Sequence, residues 1–160
     1  MDPLISPARR DRCYGLRPAD LRERAAFHEP WRFRQLSDWL YQKCTADFRE
    51  MRNLPPAERE RLSLLFAPPA LHAERETVSP RTGTKKILFR LGDGQAIESV
   101  LIPDAPSARG DTPVRYTLCL STQVGCGYGC AFCATGGMGL RRQLDAGEIV
   151  EQYAALNGAH

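Results

Sequence analysis

The first part of the chain carries apolar residues at helical spacing, from about residue 16 to residue 66. Pro18 and Pro30 stand where proline opens a helix in its first turn. In the helix that begins at Pro30, the apolar residues form one stripe: Phe33, Leu36, Trp39 and Leu40. The pattern therefore predicts a small bundle of helices, which Pro68-Pro69 closes.

After residue 70 the apolar period changes from helical to two. Ile87, Phe89 and Leu91 alternate with their neighbours, Gly92-Asp93-Gly94 is a turn signal, and residues 96–102 form a second run. These two runs predict a β-hairpin. A polar, proline-rich connector follows as far as Pro113.

The third apolar run, residues 114–121, leads directly into a cysteine-rich loop. Its apolar face carries Tyr116 and Leu118, and its more polar face carries Cys119. Asp145 then stands three residues before Glu148, an arrangement that caps the start of a helix. A strand, a loop and a helix in this order open a β/α barrel.

The order of these elements predicts an α/β fold in three regions. A helical domain occupies residues 1–70, and a β-hairpin extension with its connector occupies residues 71–113. Residues 114–160 form the first strand and helix of a partial β/α barrel.

Composition indicates the cellular location of the protein and the kind of partner that its charge permits. No stretch is apolar enough to cross a bilayer, and the first residues lack the apolar core of a signal peptide, so we expect a cytoplasmic protein. Formal net charge is +3, and all but three of the 22 basic residues are arginine. Arginine suits an RNA partner, but a GC-rich genome also favours it, so charge alone only permits nucleic acid.

Cysteine spacing is the strongest chemical signal. Cytoplasmic thiols stay reduced, so clustered cysteines indicate a metal site more than a disulfide framework. Cys126, Cys130 and Cys133 follow the pattern C-x-x-x-C-x-x-C with interleaved glycines, while Cys13 and Cys44 lie far upstream and are interpreted as structural. Structural zinc usually takes four ligands, and no second pair or nearby histidine is present. An iron–sulfur cluster with one open iron is favoured, and zinc or a redox thiol pair remain as alternatives.

This cysteine pattern after a strand resembles the radical S-adenosylmethionine (SAM) enzymes. Residues 117–126, 132–140 and 145–150 are similar to the dual-specificity 23S rRNA and tRNA adenine-C2 methyltransferases, and residues 33–54 and 82–103 are similar to that family's accessory domain and hairpin. The resemblance implies a [4Fe-4S] cluster held by Cys126, Cys130 and Cys133, with S-adenosyl-L-methionine bound at the open iron of this cofactor site. It also implies that the helical domain of residues 1–70 is an accessory domain that binds RNA. It also implies a 5′-deoxyadenosyl radical, a methyl-cysteine intermediate and an electron donor such as flavodoxin. We expect a monomer without a membrane partner.

The same resemblance implies two catalytic residues. Glu98, in Glu98-Ser-Val-Leu-Ile-Pro103, corresponds to a proton acceptor, and Cys119 corresponds to a resolving cysteine that forms a transient disulfide with a cysteine absent from this sequence. Residue pattern alone leaves other interpretations open. Glu98 fits equally well an ion pair with an arginine, and Cys119 fits a small core residue at a strand end.

Members of this family are more than twice as long as this chain. We therefore expect an incomplete N-terminal part that is inactive alone. Two alternatives remain: a related methyltransferase that acts on adenosine C8, and a small zinc-binding module that interacts with RNA.

Overall fold

The structure, a computed structural model, describes residues 11–104 and 115–157. The chain divides into two compact units, a helical unit of Met1–Pro69 with Ala146–His160 and a sheet unit of Ala70–Asp145. In chain order the helices are α1 (Pro18–Ala25), α2 (Pro30–Ser37), α3 (Pro56–Leu65), α4 (Ala134–Gly137) and α5 (Ala146–Asn157). The strands are β1 (His72–Val78), β2 (Lys85–Arg90), β3 (Ala96–Pro103), β4 (Tyr116–Cys119), β5 (Gln123–Gly125) and β6 (Leu140–Gln143).

The helical unit begins its helices as the sequence predicts. Pro18, Pro30 and Pro56 each occupy the first turn of a helix, where the missing N–H costs nothing. Helix α2 continues as a π-helical turn, Asp38–Gln42, which the helical spacing did not reveal. The predicted stripe enters the core, with Leu36 and Leu40 fully buried and two aromatic residues packed against them: Phe33 and Trp39.

Polar bonds tie these helices together from inside. The Tyr14 hydroxyl donates to the carbonyl of Leu40 at 3.0 Å, and the Arg61 guanidinium donates to the last carbonyl of α1, that of Ala25, at 2.6 Å. Both carbonyls lie at a helix end or in a helical turn, where fewer intrahelical N–H groups are available as donors. These bonds fix how the helices pack.

Helix α5 also belongs to the helical unit. It packs against the short 3₁₀ turn Cys13–Gly15, and Ala154 joins the buried core. Gly15 and Gly147 approach so closely that a Cβ on Gly15 would lie 3.8 Å from the Gly147 Cα. The helix predicted after the cysteine loop is thus present, and its Ala154 contributes to the helical core.

The sheet unit contains the predicted hairpin and more. Strands β2 and β3 pair antiparallel, and β1 and β4 extend them into one sheet of order β1-β2-β3-β4. Ile87, Phe89 and Leu91 are buried, so their alternation is confirmed. Strand β1 was not predicted, because every one of its residues is exposed and no apolar alternation marks it.

Strand β4 lies within the third apolar run, whose first residue, Val114, is outside the described residues. It pairs antiparallel with β3. Strands β5 and β6 form a second, two-stranded antiparallel sheet around the cysteine loop. The described residues thus combine helices with antiparallel sheets and do not contain the full barrel. None of their helices is long and apolar enough to cross a membrane.

Candidate functional site

The pairing of β3 with β4 places the two candidate catalytic residues on one face of the sheet. Val100 lies directly opposite Cys119, and Glu98 is two residues before Val100. Because side chains alternate along a strand, Glu98, Val100 and Cys119 share a face. Diagonal neighbours in such a pair have Cα atoms about 7–8 Å apart, within reach of one bound molecule.

Glu98 lies on the open side of this sheet. Its neighbours Ile97 and Ser99 are buried on the opposite face, whereas about half of the Glu98 side chain is exposed. The Glu98 carboxylate pairs with the Lys86 ammonium at 3.0 Å, from the adjacent strand β2. Glu98 thus forms an ion pair, with a lysine in place of the expected arginine, and its role as a proton acceptor stays a prediction.

Cys119 is exposed, as its position on the more polar strand face predicts. Beyond it, the Ser121 hydroxyl donates to the Glu98 carbonyl at 2.7 Å and holds the end of β4 against β3. All six cysteines of the chain are free thiols, so the structure does not support a disulfide bond. Cys119 is therefore available as a thiol.

The cysteine loop begins at β5 and ends at β6, and the pairing of these two strands forms its base. The amide of Cys126 donates to the carbonyl of Gly139 at 3.2 Å, which closes the base of the loop. Gly125 has φ of +75°, and a Cβ there would lie 1.9 Å from the Gly139 oxygen. Only glycine fits both the conformation and the close approach.

Inside the loop the backbone turns back on itself. The Cys133 amide donates to the Cys130 carbonyl at 3.0 Å, and α4 follows as a single helical turn. Gly136 in α4 packs on the loop so closely that a Cβ would lie 2.9 Å from the Cys130 nitrogen. Glycines at these two positions therefore allow close backbone contacts at the base of the loop and between α4 and Cys130.

The loop fits an iron–sulfur cluster by its donors. Three thiols lie within one short loop, and none of them is fully buried. Tyr128 and Phe132 project from the same loop with 89% and 93% of their surface exposed. Within residues 11–104 and 115–157, however, no three His, Cys, Asp or Glu side chains lie close enough together to form a metal site. The thiols thus share a loop without converging.

An ion pair that the sequence did not reveal also connects the end of the cysteine loop to the hairpin. Arg142 in β6 donates to the Asp93 carboxylate at 2.6 Å, across to the turn between β2 and β3. The hydrogen bond from Arg142 lowers the pKa of Asp93. Since Asp93 is the middle residue of the turn signal, only the folded structure shows this role.

The cysteines outside the loop have different surroundings. Cys13 is buried in the helical core, and this burial raises the pKa of its thiol from 9.0 to about 12. Cys44 is half-buried and accepts a hydrogen bond from the Asn157 side chain at 3.1 Å. A thiol that keeps its proton is a poor nucleophile and metal ligand, so Cys13 has a structural part.

Comparisons with known proteins agree with this arrangement. Residues 24–67 match the family described as the ribosomal RNA large subunit methyltransferase N-terminal domain. A probable dual-specificity RNA methyltransferase RlmN of Heliobacterium modesticaldum is 46% identical over 145 residues, covering 84% of this chain and 37% of that protein. A dual-specificity RNA methyltransferase RlmN of Nitratidesulfovibrio vulgaris is 46% identical over 130 residues, covering 80% of this chain and 34% of its own length.

A solved structure shows the same fold. A radical SAM methyltransferase from Sphaerobacter thermophilus superposes with a TM-score of 0.76 at 42% identity, covering 91% of this chain and 41% of that chain. The chain spans little more than a third of the length of the two curated relatives. The predicted resemblance is therefore confirmed for the N-terminal part of this family.

Proposed function

We propose that this chain, whose sequence and fold match the N-terminal part of the RlmN-type radical SAM methyltransferases, serves an enzyme that methylates C2 of adenosine in 23S rRNA and tRNA. The observation that carries the proposal is the shared sheet face of Glu98 and Cys119, on strands that lead into the cysteine loop. An acid and a free thiol thus lie beside a loop that carries three more thiols. The cytoplasmic location, the flavodoxin-type electron donor and the monomeric state remain predictions.

Cys126, Cys130 and Cys133 would hold the [4Fe-4S] cluster in this proposal. When bound, the cluster and S-adenosyl-L-methionine supply a 5′-deoxyadenosyl radical. The chain itself contributes the loop, which glycines fold tightly and which the Cys126 amide closes at its base. The Asp93–Arg142 pair holds β6, and with it the second end of the loop, against the hairpin turn.

Glu98 and Cys119 handle protons and sulfur on the sheet face. Glu98 takes up a proton from the RNA base, and the ion pair with Lys86 orients its carboxylate. The Cys119 thiolate attacks the cysteine sulfur that a methylene group links to the base in a protein–RNA adduct, and a disulfide forms. The carbon–sulfur bond breaks with its electron pair going to that carbon, which takes up a proton and becomes the methyl group on the base. The exposure of both side chains supports this assignment, because each must meet the substrate.

Anaerobic reconstitution of the chain with iron and sulfide tests the proposal. We expect about four irons and a matching visible and EPR signal per chain, lost in Cys126→Ala. The matched control, Cys44→Ala, removes a thiol outside the loop and leaves the iron content unchanged. Stoichiometric zinc without an iron signal would instead indicate the small zinc-binding module and contradict the enzymatic assignment.

The site of methylation needs a separate measurement. A full-length relative should place the methyl group on C2 of adenosine, as mass spectrometry of digested RNA with isotopically labelled methyl donor reads directly. Methylation at C8 would assign the cysteine loop to the related enzymes that act there. The iron content of the cluster does not distinguish methylation at C2 from methylation at C8, so this experiment is independent of the reconstitution.

A further inference from the structure

An open groove of about 510 Å³ lies on the helical unit, far in sequence from the cysteine loop. It is formed by the second half of α1 and the first two turns of α2. We call it the Trp31 groove, and its lining residues are Arg22, Pro30, Trp31, Phe33, Arg34 and Ser37. All of them lie in the helical unit, so the groove is complete within it.

Trp31 is unusual among the aromatic residues of this unit. Its side chain is 56% exposed, whereas the other tryptophan, Trp39, is half-buried and donates from Nε1 to Asn53. The Arg32 guanidinium lies 5.9 Å from the Trp31 ring centroid and is itself fixed by bonds to Gln35 and to the Asn53 carbonyl. Trp31 therefore presents a large aromatic face to water beside a fixed guanidinium, where a planar group can stack.

The two arginines of the groove differ from most of their neighbours. Arg17, Arg24, Arg49 and Arg61 each pair with an aspartate or a glutamate. In the part of the chain that the structure describes, Arg22 and Arg34 have no acidic partner, and the Arg22 guanidinium lies 5.4 Å from the Phe33 ring centroid. The groove therefore combines an exposed aromatic face with positive charge that no carboxylate neutralises.

We propose that the Trp31 groove binds an unpaired nucleotide of RNA, with its base stacked on Trp31 and its phosphates on Arg22 and Arg34. Sites for single-stranded nucleic acid combine these two features, an aromatic stacking surface and a basic groove along the backbone. Guanidinium groups also bind phosphate in a bidentate manner. The inference rests on the proposed function for its partner class, RNA, and adds the site and the way it binds.

Tryptophan fluorescence tests the stacking directly, because the chain has only two tryptophans. In Trp39→Phe the signal comes from Trp31 alone, and we expect a short RNA hairpin with an unpaired loop to quench it. In Trp31→Phe the signal comes from Trp39, whose ring lies beneath Lys43 at 3.6 Å, and we expect no quenching. Quenching of Trp39 alone would overturn the assignment.

Affinity for the same fluorescently labelled hairpin tests the energetics. Trp31→Ala should weaken binding about tenfold, the order expected for loss of one stacked base, and Trp31→Phe should retain most of it. Arg22→Gln and Arg34→Gln should each weaken binding and lower the salt dependence by about one phosphate contact. The matched control, Arg49→Gln, removes the same charge from an arginine already paired with Asp47 and should change binding little.

Three outcomes would overturn the assignment of the Trp31 groove as a nucleotide-binding site. If Trp31→Ala binds the hairpin as tightly as the parent chain, no base stacks on Trp31. If Trp31→Ala loses as much affinity for a fully paired duplex as for the hairpin, general charge attraction explains the binding in place of stacking. Equal Trp31 quenching by an acidic peptide indicates a protein partner. None of these measurements depends on iron. If the chain binds the cluster but its RNA binding does not depend on Trp31, only this inference fails and the proposed function is unaffected. Circular dichroism confirms that each variant is folded.

Discussion

The helical unit and the sheet unit differ in how they bury their apolar residues. In the helical unit, large side chains are fully buried: Leu21, Leu36, Leu40, Met51 and Leu62. In the sheet unit, only one face of the sheet is buried, and the other carries the half-exposed Glu98 and the exposed Cys119. Phe132 on the cysteine loop is almost fully exposed.

The difference separates stability from chemistry. A closed core gains from every buried methylene and has no room for a ligand. An open strand face with a charged pair and a thiol gains little stability, but it leaves reactive groups where a substrate can reach them. The predictions below test this separation, beginning with the largest expected effect.

Loss of packing in the helical core should cost the most. Leu36 is completely buried, so Leu36→Ala should lower the free energy of unfolding by about 2–5 kcal/mol through lost transfer energy and a cavity. Leu64→Ala, in a side chain that is 68% exposed, should change it by less than about 0.5 kcal/mol. Urea unfolding measures both. Equal effects at the two positions would contradict a closed helical core.

Alkaline pH should weaken the same core through Cys13. Burial raises the pKa of this thiol from 9.0 to about 12, so between these values the folded state keeps a proton that the unfolded state releases. The stabilisation is complete below pH 9 and is lost as pH rises, by up to about 1.4 kcal/mol per pH unit. Burial also raises the pKa of Tyr14 above its ordinary 10.0, so its contribution begins at higher pH.

Urea unfolding of the parent chain and of Cys13→Ala at pH 9 and pH 10 separates the thiol from the tyrosine, because Tyr14 contributes equally to both proteins. We expect the loss of stability across this interval to shrink in Cys13→Ala, which removes the titrating group. A slope that persists in Cys13→Ala would show that the buried thiol is not its source.

Local sequence signals predicted much of this contrast. Proline at the first helical turn and alternation in β2 depend on neighbours along the chain, so α1, α2 and the hairpin could be predicted. Strand β1 could not, because an exposed edge strand has no buried face to impose a period of two. The β5–β6 pair is set by contacts across the whole cysteine loop, which no local pattern records.

The candidate site followed the same rule. Glu98 and Cys119 could be chosen from the sequence by resemblance, but their common face depends on the register of β3 with β4. The sequence also could not show that Glu98 lies opposite the buried face of β3, which carries Ile97, Ser99 and Leu101. Lys86 could not be identified as its partner without the pairing of β2 with β3.

The closed base of the cysteine loop should tolerate no side chain at Gly125. A Cβ there would collide with the Gly139 oxygen, and the positive φ adds strain of about 1–3 kcal/mol. Gly125→Ala should therefore lose most of the iron bound on reconstitution. Gly94→Ala is the matched control, because Gly94 also has positive φ, +82°, but a Cβ there meets nothing within 4 Å. Equal iron content in both variants would show that loop closure does not control cluster binding.

The smallest effect on stability should come from the sheet face that we assign to chemistry. Glu98→Gln removes the acid of the exposed Glu98–Lys86 pair, and Glu74→Gln does the same for the exposed Glu74–Arg90 pair of the same sheet. Exposed pairs contribute roughly 0.2–1 kcal/mol, so both variants should unfold at nearly the parental urea concentration. At the corresponding positions of a full-length relative, only the first substitution should lower RNA methylation, with cluster content unchanged in both. Unchanged turnover after the first substitution would remove Glu98 from the mechanism, whereas equal loss in both variants would trace the effect to the sheet as a whole.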